Sequence, residues 1–283
     1  MTNTTPFMQF GERIPNLGIR LLTVHALREA FLLLDALNRA YRSEPFDPAN
    51  FLIQHDEEPQ GAQVFGLIFV SMGLVARALT YEPKATSNLS LVEQLDLPAH
   101  KVDLRFLIPL LFTVAHEYHH DRRKHDLVLQ SVKPAEFDSK AVEFDADLCA
   151  VADVYRWLKH KAGDLVDMDR RKLIIMYLHY FLFGITPSPA GGTHASHADR
   201  ICLISTKLGQ LVENPVPGDM RVDVDLVWPE TRERLAVLSP FTGALLASSG
   251  YRPEDLHIDE LGHIADGWDR LRPYVREVSG TIA

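Results

Sequence analysis

The sequence predicts one mainly helical α+β domain, and three observations point to it. Apolar residues recur at helical spacing through most of the 283 residues. Short runs rich in Phe, Ile and Val at strand length lie between residues 51 and 74. No Gly-, Pro- or Ser-rich stretch is long enough to act as an interdomain linker, and there is no internal repeat. The expected organisation is a motif-bearing core over about 50–212, with 213–283 as a helical extension packed on it.

The elements follow in order. "LLTVHALREAFLLLDALNRAYR" (21–42) carries a helical apolar stripe that "EPFDP" interrupts. "FLIQH" and "QVFGLIFVSMGL", separated by the turn-like "DEEPQG", predict two short strands, the second running into a helix near Leu74. Residues 81–100 read as a connection. A helix is expected over Asp103–His125, with Pro109 tolerated only in its first turns or at a kink. After Pro134 a long helix runs to Gly163. "DRRKLIIMYLHYFLF" (169–183) is apolar nearly all round, which implies a buried helix. "GITPSPAGGTHAS" (184–196) is a loop, followed by a helix to about Val212. With five prolines between 215 and 253, the remainder predicts short helices.

Composition narrows the function. A hydrophobic fraction of 46% is enough to bury a sizeable core. A net charge of -9 argues against nucleic acid or anionic membrane as a partner. Cys149 and Cys202 cannot build a disulfide framework and lie in no paired-Cys zinc motif, so they fit buried thiols in a reducing compartment. The opening residues lack a basic start followed by an apolar run, and the longest apolar stretches, 64–76 and 173–185, fall short of the roughly 18–20 residues of a membrane span. The expectation is a cytoplasmic protein without a membrane span.

The chemistry concentrates in "FTVAHEYHHDRRKHD" (112–126), with four histidines in ten positions. Positions i and i+4 of a helix share a face, which pairs His116 with His120; His116 with His119 is only slightly less well aligned. Glu117 decides between them. In His-Glu-x-x-His the two histidines bind zinc while the intervening Glu projects beside it and polarises its water. The run "FLIPLLFTVA" leading into the motif predicts a buried helix rather than a histidine-rich surface cap.

A catalytic zinc takes three protein ligands and keeps a fourth position open. "VEFDADLCAVAD" (142–153) supplies the third, Glu143. One turn later Asp147 is placed to accept a hydrogen bond from the free nitrogen of a zinc histidine, most naturally His116. Asp145 and Glu136 compete as ligands, but Asp145 projects about 200° from Glu143. One zinc per chain is expected.

His-Glu-x-x-His followed by Glu-x-x-Ala-Asp resembles the gluzincin metallopeptidases, in particular the group containing HtpX and the CAAX prenyl proteases. "GAQVFGLIFVSMGLV" (61–75) is similar to the segment that family places before its zinc helix, a strand ending in Gly-Leu. "GGTHASHADRI" (191–201) resembles its Thr-His-Pro-Ser…Arg-Ile element, with Ala195 where the family has proline. The three motifs are collinear and cover about 61–75 and 112–205. The phage-exclusion peptidase Lit, soluble and of similar size, is a second possible relative.

The resemblance implies a zincin-like domain with a small edge sheet and zinc-binding helices. It implies a zinc-dependent endopeptidase acting on a protein or peptide substrate, with Glu117 as general base. His194 becomes the donor that stabilises charge on the former carbonyl oxygen, with His197 as substitute. Arg200 either pairs with Asp147 or Glu143 or reaches the oxyanion itself. Residues 64–70 would form the edge strand to which an extended substrate adds. Two other readings stand beside this one, an inactive zinc-binding regulatory or interaction protein and a hydrolase of non-peptide amides. The intact Glu117 speaks against the inactive protein, since a structural site has no use for a general base.

Overall fold

The computed structural model describes residues 4–6, 9–10, 14–41, 50–64, 66–80, 104–161, 165–186, 192–212 and 228–279. The fold is mainly helical α+β with a small mixed sheet, as the periodicity predicts. In chain order the elements are β1 (Thr4–Pro6), α1 (Leu17–Tyr41), β2 (Asn50–Gln54), β3 (Gly61–Val64), β4 (Leu67–Ser71) and α2 (Met72–Thr80). There follow α3 (Leu104–Arg123), α4 (His125–Ser131), α5 (Asp138–Lys161) and α6 (Asp167–Tyr180), which runs into a π-helical turn, Phe181–Ile185. The last three are α7 (His197–Gln210), α8 (Trp228–Ser248) and α9 (Ile258–Ser279).

The sheet order is β1-β2-β4-β3, with β2 and β4 parallel and the outer pairs antiparallel. The run expected as a single strand over 63–74 is instead a hairpin, β3 and β4, turned at Gly66 with φ 81. That left-handed conformation suits glycine because it has no Cβ to clash. The consequence corrects the edge-strand expectation. Most of the 64–70 segment is β4, an interior strand, and the edge beside α3 is β3.

The Gly-Leu pair also has a physical account. Ser71 caps α2, its Oγ accepting from Leu74 N at 3.0 Å. Gly73 N donates to Asp56 O at 2.8 Å. A Cβ on Gly73 would stand 2.0 Å from the Glu57 carbonyl oxygen, so the strand-to-helix corner closes only without a side chain there.

Helix α3 is the centre of the core. Its residues from Phe106 to Ala115 are all buried, and it packs on α1, α5, α6, β3 and β4. Leu27, Leu33, Leu34 and Leu37 of α1 supply a fully buried stripe against it. Burying each such side chain contributes about 1.5–3 kcal/mol. The expected helix to His125 stops two residues earlier, because Lys124 adopts φ 54, ψ 40 and α4 starts on a new axis.

The C-terminal expectation of short helices is wrong: α8 and α9 are 21 and 22 residues long. Pro229 sits in the first turn of α8, where its missing donor has no partner to lose. Pro240 and Pro273 lie inside α8 and α9 but on their exposed sides, where water can satisfy the freed carbonyls. Buried Leu238, Phe241 and Leu245 hold α8 to the core, and Leu271 and Val275 hold α9 against α4 and α5. Packing on both sides of each proline outweighs its local penalty. Among the described residues no helix is long and apolar enough to cross a membrane. The 81–100 connection and Gly163 lie outside the described residues, as do 187–191 of the loop 184–196 and 213–227.

Candidate metal centre

Four segments converge at one cluster. Helix α3 presents His116, Glu117 and His120; α5 crosses it with Glu143 and Asp147; the bend at 192–194 brings in His194, and α7 brings Arg200. The one-turn spacing in each helix puts these side chains on facing surfaces.

Four ligand-type atoms gather there. His116 Nε2 lies 3.1 Å from Glu143 Oε2, His120 Nε2 lies 3.2 Å from the same oxygen, and the two Nε2 atoms are 3.0 Å apart. His194 Nε2 is 2.8 Å from Glu143 Oε2, and its ring stacks on His116 with centroids 6.0 Å apart. His116, Glu143 and His194 have ligand atoms within 4.8 Å of one another, a group that could hold a metal ion. His120 is as close as these to both His116 and Glu143.

The donor set can be tested against the geometry of such an ion. Ligand bonds of about 2.0–2.2 Å at tetrahedral angles place ligand atoms roughly 3.3 Å apart. The three separations among His116, His120 and Glu143 are near that value. Three lone-pair-bearing atoms this close repel one another unless a cation or proton lies between them. Burial opposes a charge on His116, but Asp147 and Glu143 outweigh it and raise the imidazole to about 10. Burial likewise works against the Glu143 carboxylate, yet His116, His120 and His194 hold its pKa well below the usual carboxylate range.

Behind the donors stands a layer of supports. Asp147 Oδ1 is 2.9 Å from His116 Nδ1, within hydrogen-bonding distance though poorly aligned with the ring N–H. Arg200 donates to Asp147 twice, from Nε at 2.7 Å and from Nη2 at 2.8 Å. Of the two roles open to Arg200, the geometry shows the ion pair. Its buried, bidentate guanidinium keeps Asp147 ionised against the cost of burial.

Glu117 is partly covered by the edge strand. A Cβ on Gly61 of β3 would come within 3.0 Å of Glu117 Oε1 and 2.5 Å of Thr113 Cγ2, so the strand passes the carboxylate at a position with no room for a side chain. Burial pushes the Glu117 pKa up, and the neighbouring histidines offset this to a degree.

The competing residues fall elsewhere. His119 points away from the centre, its Nε2 2.6 Å from Asp153 Oδ2. Asp145 faces the opposite side of α5, against Arg123 and His125, and Glu136 is exposed in the turn before α5. His197 is buried with its ring edge on Phe183, centroids 5.4 Å apart. Spacing alone assigns no role to His125, whose Nδ1 lies 2.9 Å from His120 Nδ1, nor to Gly61.

Comparison with family models, with curated proteins and with solved structures finds no match to this chain.

Proposed function

We propose that the chain is a zinc-dependent endopeptidase of the gluzincin kind on a zincin-like fold, with His116, His120 and Glu143 as ligands. The observation that carries this reading is the convergence of two histidines one turn apart with a carboxylate from a second helix, beside a half-buried Glu117. Zinc held there supplies a Lewis acid that acidifies water and polarises the substrate carbonyl. Glu117 is placed to take the proton from that water, and its raised pKa brings a carboxylate closer to the basicity such a transfer needs. Asp147 and Arg200 hold His116 in the orientation that turns Nε2 to the centre. The short edge strand β3, with Val64 49% exposed, offers backbone groups to which an extended peptide can add.

The test is metal removal. Purified protein is incubated with a library of proteome-derived peptides when zinc-loaded, after stripping with a chelator, and after zinc is restored, and new peptide termini are sequenced. Cleavage is expected in the first and third samples only. Cleavage that survives stripping sinks the zinc mechanism, and zinc binding with no cleavage in any sample favours the inactive regulatory protein.

One observation favours that second reading. His194 stands 2.8 Å from Glu143 and belongs to the group that could hold the ion. A fourth protein ligand closes the site, which is the habit of structural zinc. His194→Ala separates the roles. If His194 donates to the transition state, zinc content stays and turnover falls about 10²–10³-fold, as for loss of one oxyanion donor. If it is a ligand, zinc affinity falls.

A further inference from the structure

We infer that His125 is a positioning residue for His120: it accepts a hydrogen bond from His120 Nδ1, is itself anchored by Asp145, and so fixes the tautomer that turns the His120 Nε2 lone pair to the metal. The inference rests on the reading of His120 as a ligand and concerns how that ligand is held.

The geometry forms a chain. His120 Nδ1 and His125 Nδ1 are 2.9 Å apart, with the rings edge to face at 84°. His125 Nε2 is 3.1 Å from Asp145 Oδ2. A carboxylate can only accept, so the proton in that bond belongs to His125 Nε2. In a neutral ring Nδ1 of His125 is then the bare nitrogen. The facing Nδ1 of His120 must carry the hydrogen between them, which leaves Nε2 of His120 as a lone pair. Arg123, ion-paired with the same Asp145 oxygen, already matches the carboxylate's charge, so the relay needs no second positive charge on His125.

His116 is supported directly by a carboxylate, while His120 reaches its own only through a second imidazole. The backbone is shaped for this. In an unbroken helix a residue five positions after His120 would lie about 140° round the axis from it. Lys124, at φ 54 and ψ 40, is the one non-glycine described residue with positive φ, and no side-chain cap at that position explains it. The reversal ends α3 and brings His125 back under His120. There the ring is 1% exposed and meets the edge of Trp268 on α9, centroids 6.5 Å apart, while the Arg123 guanidinium lies 5.3 Å over that same indole.

The test uses the full-length zinc-loaded protein and two readouts besides activity. Long-range ¹H–¹⁵N correlation of the wild type should show His120 protonated at Nδ1 and His125 protonated at Nε2 only. Protonation of His125 at Nδ1 overturns the proposal, and this measurement needs no variant to fold. Zinc affinity is then measured by chelator competition for His125→Leu, which keeps bulk without an acceptor, and His125→Asn, whose carbonyl can stand where Nδ1 stood. His125→Leu should bind zinc about 10–100-fold more weakly, the usual cost of losing a group that orients a ligand. His125→Asn should recover most of that loss. Equal affinities in the two variants, weakened or not, would reduce His125 to packing. His120→Ala is measured alongside: undiminished zinc affinity there sinks the ligand reading itself, whereas zinc loss there with wild-type affinity in His125→Leu overturns only the relay.

Discussion

Glu117→Gln should lower peptide cleavage by about 10²–10⁴-fold while zinc content and melting temperature stay near the wild type, because the proposed general base is lost and no proposed ligand is touched. The packing favours a clean result. Gly61 of the edge strand leaves little spare room at Glu117, and an amide has nearly the volume of a carboxylate, so no cavity opens. Burial disfavours the charged form of Glu117, so exchanging it for a neutral amide removes a desolvation cost rather than adding one. Turnover is read on whichever peptide bonds the zinc-loaded protein cleaves, with zinc measured in the same preparation. Retained cleavage would mean that the water is activated by another group. Loss of zinc along with cleavage would place Glu117 among the ligands.

Much of this centre can be read from spacing. A helix advances 100° per residue, so His116/His120 and Glu143/Asp147 each share a face, and the buried run ahead of His116 marks the helix as interior. What spacing cannot give is the position of one element relative to another. The run 63–74 reads as one strand entering a helix near Leu74, and the left-handed turn at Gly66 makes its strand part a hairpin with Gly61–Val64, which moves the edge to that strand. His125 is hidden for a similar reason. Read as a continuous helix, 104–125 points it away from His120; one backbone reversal at Lys124, a residue with no special liking for that conformation, brings it back. Pro240 misleads in the other direction, and Pro273 is its counterpart in α9. Both sit on solvent-facing sides of helices whose other faces are packed, so their local penalty does not end the helix.

Three of the four buried carboxylates on α5 divide the work among the histidines. Asp147 serves His116 and takes Arg200; Asp145 serves His125 and takes Arg123; Asp153 serves His119 and takes Arg156. Each carboxylate thus pairs one imidazole of the "HEYHHDRRKH" stretch with one arginine, which neutralises a charge that burial would otherwise make costly. Two of the pairs lead to the histidines proposed as ligands. The third, at His119, leads away from the centre, and this sets up the sharpest test of which histidines hold metal.

His120→Ala should cost more zinc affinity than the 10–100-fold typical of a supporting residue, since it removes a donor within 3.0–3.2 Å of the other two. His119→Ala should keep zinc and lose stability instead. Its imidazole is 2% exposed, bonded to Asp153 at 2.6 Å and set edge-on to Tyr41 with centroids 6.1 Å apart. Truncation opens a cavity and removes a hydrogen bond. However, Asp153 still receives Arg156 at 2.8 Å and the Tyr41 hydroxyl at 3.4 Å, so the carboxylate is not left alone. That moderates the cost to about 2–4 kcal/mol, or on the order of 5–10 °C in melting temperature for a chain of this length. Zinc content and thermal unfolding measured on both proteins decide the pairing. Zinc lost from His119→Ala and kept by His120→Ala would reverse it, turn Glu117 away from the metal, and remove the general base on which the peptidase reading depends.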